Sequence, residues 1–214
     1  MKKVEKLYPT KIMSNVKKVA NSFFMTLILK EDATLWSYEN ESFMRLEQYK
    51  HGYSNSDELT LIKIMDDVID IAAGDVHGLA VKSDGTLWSW GQNGSGQLGD
   101  RTKETRYTPI QIMDNVLSVY AHEYSSFAIK NDGTLYSWGN NYYSQLGDGT
   151  ISNRLTPFQI TDNVKFVSAG DGATFVIKND DTLWGWGNNG SYSILGIFEN
   201  RFNSEVTPIK DKTQ

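Results

Sequence analysis

The 214 residues carry 21 basic and 26 acidic side chains, for a net charge of −5. No basic stripe offsets that balance, which argues against a general nucleic-acid binder, because phosphate contact needs clustered Lys and Arg. The absence of cysteine excludes disulfides, thiolate nucleophiles and zinc–thiolate centres and leaves the redox compartment open.

The chain begins with a strand-like segment, Tyr8-Pro-Thr-Lys-Ile12, followed by Val16 to Ala20. The next apolar run, Phe23 to Leu29, is only seven residues long. It is too short and too late for a signal peptide and reads as a strand. Nothing approaches the roughly 20 apolar residues that cross a bilayer, so no membrane partner is expected, and the cytoplasm is the favoured location. Asp32-Ala-Thr-Leu-Trp-Ser-Tyr-Glu39 then closes the first set of strands.

In the second unit, Leu61-Ile-Lys-Ile-Met65 alternates, and Asp66-Asp67 turns the chain into the apolar Val68-Ile-Asp-Ile-Ala-Ala-Gly74. The latter reads as a strand buried on both faces. Gly78-Leu-Ala-Val-Lys82 follows, and Ser83-Asp84-Gly85 predicts a hairpin of type I′, a turn that needs positive φ at both central residues. Thr86-Leu-Trp-Ser-Trp90 and a polar loop from Gln92 to Arg106 lead to Thr108-Pro-Ile-Gln-Ile-Met113, which starts the next unit.

The third and fourth units repeat the second. Asp84-Gly-Thr-Leu-Trp-Ser-Trp-Gly91 returns as Asp132-Gly-Thr-Leu-Tyr-Ser-Trp-Gly139 and as Asp180-Asp-Thr-Leu-Trp-Gly-Trp-Gly187. Counted from Asp32, the spacings are 52, 48 and 48 residues. Ile12, Ile64, Ile112 and Ile160 fall in register, as do Val16, Val68, Val116 and Val164. Four short strands per unit of about 50 residues describe a propeller blade. The fold class is therefore all-β, a β-propeller with approximate units 8–59, 60–107, 108–155 and 156–206. Residues 207–214 would start a fifth unit or serve as a closing strand.

The units resemble the RCC1 repeat, named for the regulator of chromosome condensation. The resemblance rests on Ala72-Ala-Gly74 with His77, on the Trp-Gly motif ending at Gly91, and on Gly96-Gln-Leu-Gly-Asp100, Arg106 and Thr108-Pro109. Gln145-Leu-Gly-Asp-Gly-Thr150 and Arg154-Leu-Thr-Pro157 repeat it. The resemblance implies a propeller, usually of seven blades. Four units then make a partial arc, a tighter ring, or an arc completed by association. It also implies two known activities of the family, guanine-nucleotide exchange and, among bacterial relatives, inhibition of β-lactamases. No inserted segment stands between units to act as an exchange wedge.

Catalytic chemistry finds no constellation, so no enzyme activity, metal or cofactor is expected. His51, His77 and His122 occupy different repeat positions, and His77 suits a hydrogen-bonded role at a strand end. Asp84, Asp132 and Asp180 lack the alternating acidic spacing of a calcium loop. Lys30, Lys82, Lys130 and Lys178 form a band read as a solvated hairpin flank. Trp36, Trp88, Trp90, Trp138, Trp184 and Trp186, with Gly91, Gly139 and Gly187, are the structural repeat motif, and the tryptophans are expected to pack blade against blade.

One rim differs from unit to unit. It carries the turn residues Phe23, Phe24, Asp75, Glu123, Tyr124 and Asp171, and the loop residues Tyr142, Tyr143, Tyr192 and Phe198. Aromatic and acidic residues on loops over a rigid scaffold suit capture of a protein. The expected function is a non-catalytic scaffold that binds an unidentified protein through this rim. The alternative is a structural module whose open edges pair with another copy, a homo-oligomer, or with further repeats.

Overall fold

Val16, Val68, Val116 and Val164 each begin the first strand of a four-stranded antiparallel sheet. The computed structural model describes residues 11–38, 61–170 and 172–189, together with the backbone of Phe202–Pro208. The first sheet contains β1 (Val16–Asn21), β2 (Thr26–Lys30), β3 (Leu35–Tyr38) and β4 (Leu61–Met65). The second contains β5 (Val68–Ala73), β6 (His77–Lys82), β7 (Leu87–Gly91) and β8 (Arg106–Met113). The third contains β9 (Val116–His122), β10 (Ser125–Lys130), β11 (Leu135–Gly139) and β12 (Arg154–Thr161). The fourth contains β13 (Val164–Gly170), β14 (Ala173–Lys178), β15 (Leu183–Asn188) and β16 (Phe202–Pro208). Within each sheet the strands are paired in chain order. No helix occurs among the described residues, and the sheets do not close into a ring.

The pairing sets the phase of the blade. β8 joins β7 through Leu87 opposite Met113 and Ser89 opposite Ile110. The segment that heads a sequence unit is therefore the fourth strand of the blade before it. The same pairing takes β16 onto β15, with Trp184 opposite Pro208. Residues Phe202–Pro208 are therefore the fourth strand of the fourth blade, and the rest of the segment 207–214 lies outside the described residues. Of the strand-like N-terminal segment 8–12, residues 8–10 lie outside the described residues, and Ile12 lies in no strand.

The hairpins are not of type I′. The Gly85 amide donates to the Lys82 carbonyl and the Lys82 amide to Thr86, and only Gly85, at φ 81°, takes positive φ. This is a type I turn followed by a left-handed residue, which makes a bulge. A single left-handed position explains why Ala33 and Asp181 can stand where Gly85 and Gly133 do. Asp84 Oδ1 accepts from the Thr86 amide and hydroxyl at 2.9 and 2.7 Å, and these bonds hold its carboxyl below the usual range. Thr86 Oγ1 in turn accepts from the Trp88 indole at 2.9 Å. The relay recurs through Asp32, Thr34 and Trp36 and through Asp180, Thr182 and Trp184.

Alternation along the strands gives every blade two apolar faces. Leu27, Leu29 and Leu35 of the first blade pack against Val68, Ile71, Ala80 and Trp90 of the second. Leu79, Val81 and Leu87 meet Val116, Val119, Ala128 and Trp138. Phe127, Ile129 and Leu135 meet Val164, Val167, Val176 and Trp186. The core is thus three inter-blade layers of one design. The expectation for the tryptophan pairs needs dividing: Trp90, Trp138 and Trp186 are buried between blades, whereas Trp88 and Trp184 are only half-buried at the hairpin rim. The first strand of a blade is not covered on both faces either, since Ile69 is exposed.

Candidate protein-binding rim

Two kinds of connection reach the rim opposite the hairpins: the turn between the first two strands of a blade, and the loop between its third and fourth. The two long loops among the described residues, after Gly91 and Gly139, are each built around an asparagine. Asn93 Nδ2 donates to Asp100 Oδ1 at 2.8 Å and to the Thr102 carbonyl at 3.0 Å, and its Oδ1 accepts from the Leu98 amide. Arg106 reaches Asp100 at 2.7 Å. Asn141, Leu146, Asp148, Thr150 and Arg154 repeat the arrangement. Burial pushes the Asp100 and Asp148 carboxyls up, but the bonds from threonine, arginine and asparagine outweigh it and hold both below the ordinary range. A charged carboxylate with several donors is a stable loop pin.

The pinned loop locks onto the following blade. The Gln97 carbonyl accepts from Trp138 Nε1 at 2.8 Å and from Ser126 Oγ at 2.7 Å. The Gln145 carbonyl accepts likewise from Trp186 and Thr174. Gly139 is required here, because a Cβ on it would lie 2.3 Å from the Tyr124 carbonyl. His77 joins the same network through Nε2, 2.8 Å from Ser126 Oγ. The hydroxyl proton of Ser126 goes to Gln97, so Nε2 is the protonated nitrogen. Burial pushes the His77 pKa down from 6.5 to about 4, against the pull of Asp75.

On this support the aromatic side chains stand outward. The Tyr142 amide donates to Asn140 Oδ1 at 3.0 Å, and the Tyr143 amide to Gln145 Oε1 at 2.9 Å. Gln145 Nε2 closes the clamp on Asn140 Oδ1 at 2.9 Å. Tyr143 packs against Gly172 of the next blade, where an added Cβ would meet it at 2.9 Å. Tyr142 stands edge-on to Tyr143 with ring centroids 5.0 Å apart and is 69% exposed. Phe23 and Phe24 form a second edge-on pair at 4.5 Å, with Phe23 79% exposed. Tyr124 is also exposed.

The acidic residues divide. Asp75 accepts from Ser22 Oγ at 2.5 Å and its amide donates to the Glu123 carbonyl at 2.9 Å, so it links the turns of three blades. Glu123 projects beside His122 at 3.9 Å and holds φ 48°, a conformation rare for a side chain of its size. Between the third and fourth blades, His122, Glu123, Ser125, Gln145 and Gly172 line a shallow cleft. Asp171, Tyr192 and Phe198 lie outside the described residues, as does His51.

The opposite rim offers less. Lys30, Lys82 and Lys178 lie over the rings of Trp36, Trp88 and Trp184, and Lys130 over Tyr136, at 4.4 to 5.9 Å. Their ammonium groups are engaged with aromatic faces within their own blades. Among the described residues no group of His, Asp and Glu is placed to hold a metal, and no helix is long and apolar enough to cross a membrane.

Two family models, both described as the regulator of chromosome condensation (RCC1) repeat, match the chain. One covers residues 84–129 and 132–177, the other 68–97 and 164–192; together they span more than half of it. Prp20p from Saccharomyces cerevisiae, whose crystal structure was described with its binding to Gsp1p and histones, matches with a TM-score of 0.78 at 24% identity over 95% of this chain and 52% of its own. Yeast RCC1 (Prp20) with Kap60 bound gives the same score and identity over 50% of its length. Human WBSCR16 matches with a TM-score of 0.74 at 22% identity, over 90% of this chain and 51% of its own. The chain spans about half the length of these structures, and the likeness establishes the shared propeller fold.

Proposed function

The chain belongs to the RCC1 repeat family, and from that premise we propose that it is a non-catalytic scaffold that binds a partner protein through the rim bearing Phe23, Phe24, Glu123, Tyr124, Tyr142 and Tyr143. The observation that carries this reading is the Tyr142–Tyr143 pair. Its backbone is clamped by Asn140 and Gln145, yet Tyr142 is left in solvent. A solvated aromatic on a rigid support loses little conformational freedom when a partner covers it. Related propellers offer the precedent of a protein partner: Prp20p binds Gsp1p and histones, and Kap60 binds yeast RCC1 (Prp20).

Affinity comes from the aromatics and association rate from charge. The net charge of −5 and the outward Glu123 favour a partner with a basic face. The test is a binding titration against the protein that the immobilised chain retains from cells expressing it. Tyr142→Ser is expected to weaken binding by tenfold or more, the scale of an interface hot spot, with the melting temperature unchanged. Glu123→Gln is expected to slow association and flatten its salt dependence. Full affinity in Tyr142→Ser and in Phe23→Ser would overturn the rim as the binding surface.

A further inference from the structure

The two end blades present the two halves of an interface that the chain already makes three times. Each internal layer joins a leucine-type face of one blade to a valine–tryptophan face of the next. In the fourth blade the leucine-type face has no blade beyond it among the described residues. Leu183 is 41% exposed there, whereas Leu35, Leu87 and Leu135 at the same position are fully buried. Phe175 and Ile177 beside it are half-buried, and their counterparts are buried.

The first blade shows the reciprocal face, with Tyr38 at the position of Trp90, Trp138 and Trp186. Val16 is 37% and Val19 54% exposed, while the six equivalent residues of the other blades, Val68 and Ile71, Val116 and Val119, Val164 and Val167, are exposed by no more than 2%. Ile28 of this strip stays covered. The backbone carries the same complementarity. At each internal joint the amide of the first valine donates to the carbonyl of the preceding hairpin's left-handed residue: Val68 to Ala33, Val116 to Gly85 and Val164 to Gly133, all at 2.9 Å. The corresponding donor at one end of the arc is the Val16 amide, and the corresponding acceptor at the other end is the Asp181 carbonyl.

We propose that the Leu183 face of one chain docks on the Val16–Val19 face of a second copy, continuing between chains the interface repeated within each. Donor and acceptor halves lie on different blades, so the contact is head-to-tail. Two arcs of four blades give eight, within the range that propellers use, and the two contacts of such a ring are identical. The occupant is a second copy because each end exposes the apolar strip that the other end lacks, with the valine amide at one end and the hairpin carbonyl at the other.

Light scattering on the 214-residue chain, diluted from about 100 to 1 μM, is the test. The expected mass is twice 24.2 kDa. Leu183→Asp and Val19→Asp are each expected to give monomer with unchanged far-ultraviolet dichroism, because both side chains are solvated in the single chain. Mixing the two variants restores one unaltered contact, Leu183 of the Val19→Asp chain against Val19 of the Leu183→Asp chain. A mixed dimer is expected to return at high concentration. A wild-type chain monomeric throughout would overturn the proposal and leave these faces to further repeats. A dimer indifferent to both substitutions would overturn it equally.

Discussion

Trp138 Nε1 donates to the main-chain carbonyl of Gln97, in the preceding blade, at 2.8 Å, and Trp186 repeats the bond on Gln145. The loop that carries the rim and the core between blades are therefore one unit, because the residue closing the loop is the acceptor for the buried indole.

Substituting Trp138 separates the two contributions. Trp138→Phe keeps most of the apolar volume and leaves the Gln97 carbonyl with Ser126 alone, at an expected cost of about 1–2 kcal/mol. Trp138→Ala also opens a cavity and is expected to cost about 3–5 kcal/mol. Urea denaturation at constant m-value measures both.

Acid acts through His77. Its folded pKa, about 4, lies below the ordinary 6.5, so between these values the unfolded chain binds a proton that the folded chain refuses. Stability is complete above pH 6.5 and falls as pH drops towards 4, by on the order of 3 kcal/mol if the shift is fully expressed. Asp100 and Asp148, depressed in the folded state, add a further loss only below about pH 4. Denaturation midpoints collected from pH 7.5 to 3.5 are expected to show the first decline, and His77→Gln to remove most of it.

Backbone strain at one hairpin can be relieved. Ala33 holds φ 63° at the position where Gly85 and Gly133 stand. Ala33→Gly is expected to raise stability by about 0.5–1 kcal/mol, since the left-handed region costs an alanine more than the extra freedom of glycine costs the unfolded chain. A thermal melt reads the change. Gly85→Ala is expected to shift it by a similar amount in the opposite direction.

The register of the repeat was legible because period-2 burial forces Val68, Val116 and Val164 to recur at fixed places, and a slip by one residue would turn them outward. Turn chemistry was less so. Asp84-Gly85 satisfies two hairpin types in sequence, and only the left-handed conformation of one residue distinguishes them. Blade phase was hidden for a related reason, as strand order within a repeat is invisible when every unit follows the same cycle. At the rim, Tyr142 and Tyr143 could be placed by topology, but the Asn140 half of their clamp could not, because Gln92 stands at that position in the preceding unit and the bonds to Asn140 have no repeat partner. Gln145 was readable as the return of Gln97, and the asparagine at the centre of the loop as the return of Asn93 at Asn141 and Asn189, each two residues beyond a repeated glycine.

The most direct measurement compares two surfaces in one experiment: the amount of partner protein retained from cell extract by wild type, by the Phe23→Ser/Tyr142→Ser rim variant and by the Val19→Asp/Leu183→Asp end-face variant, each quantified by mass spectrometry. The expected result is loss of the partner from the rim variant and its retention by the end-face variant. Retention by the rim variant with loss from the end-face variant would contradict the rim as the functional surface.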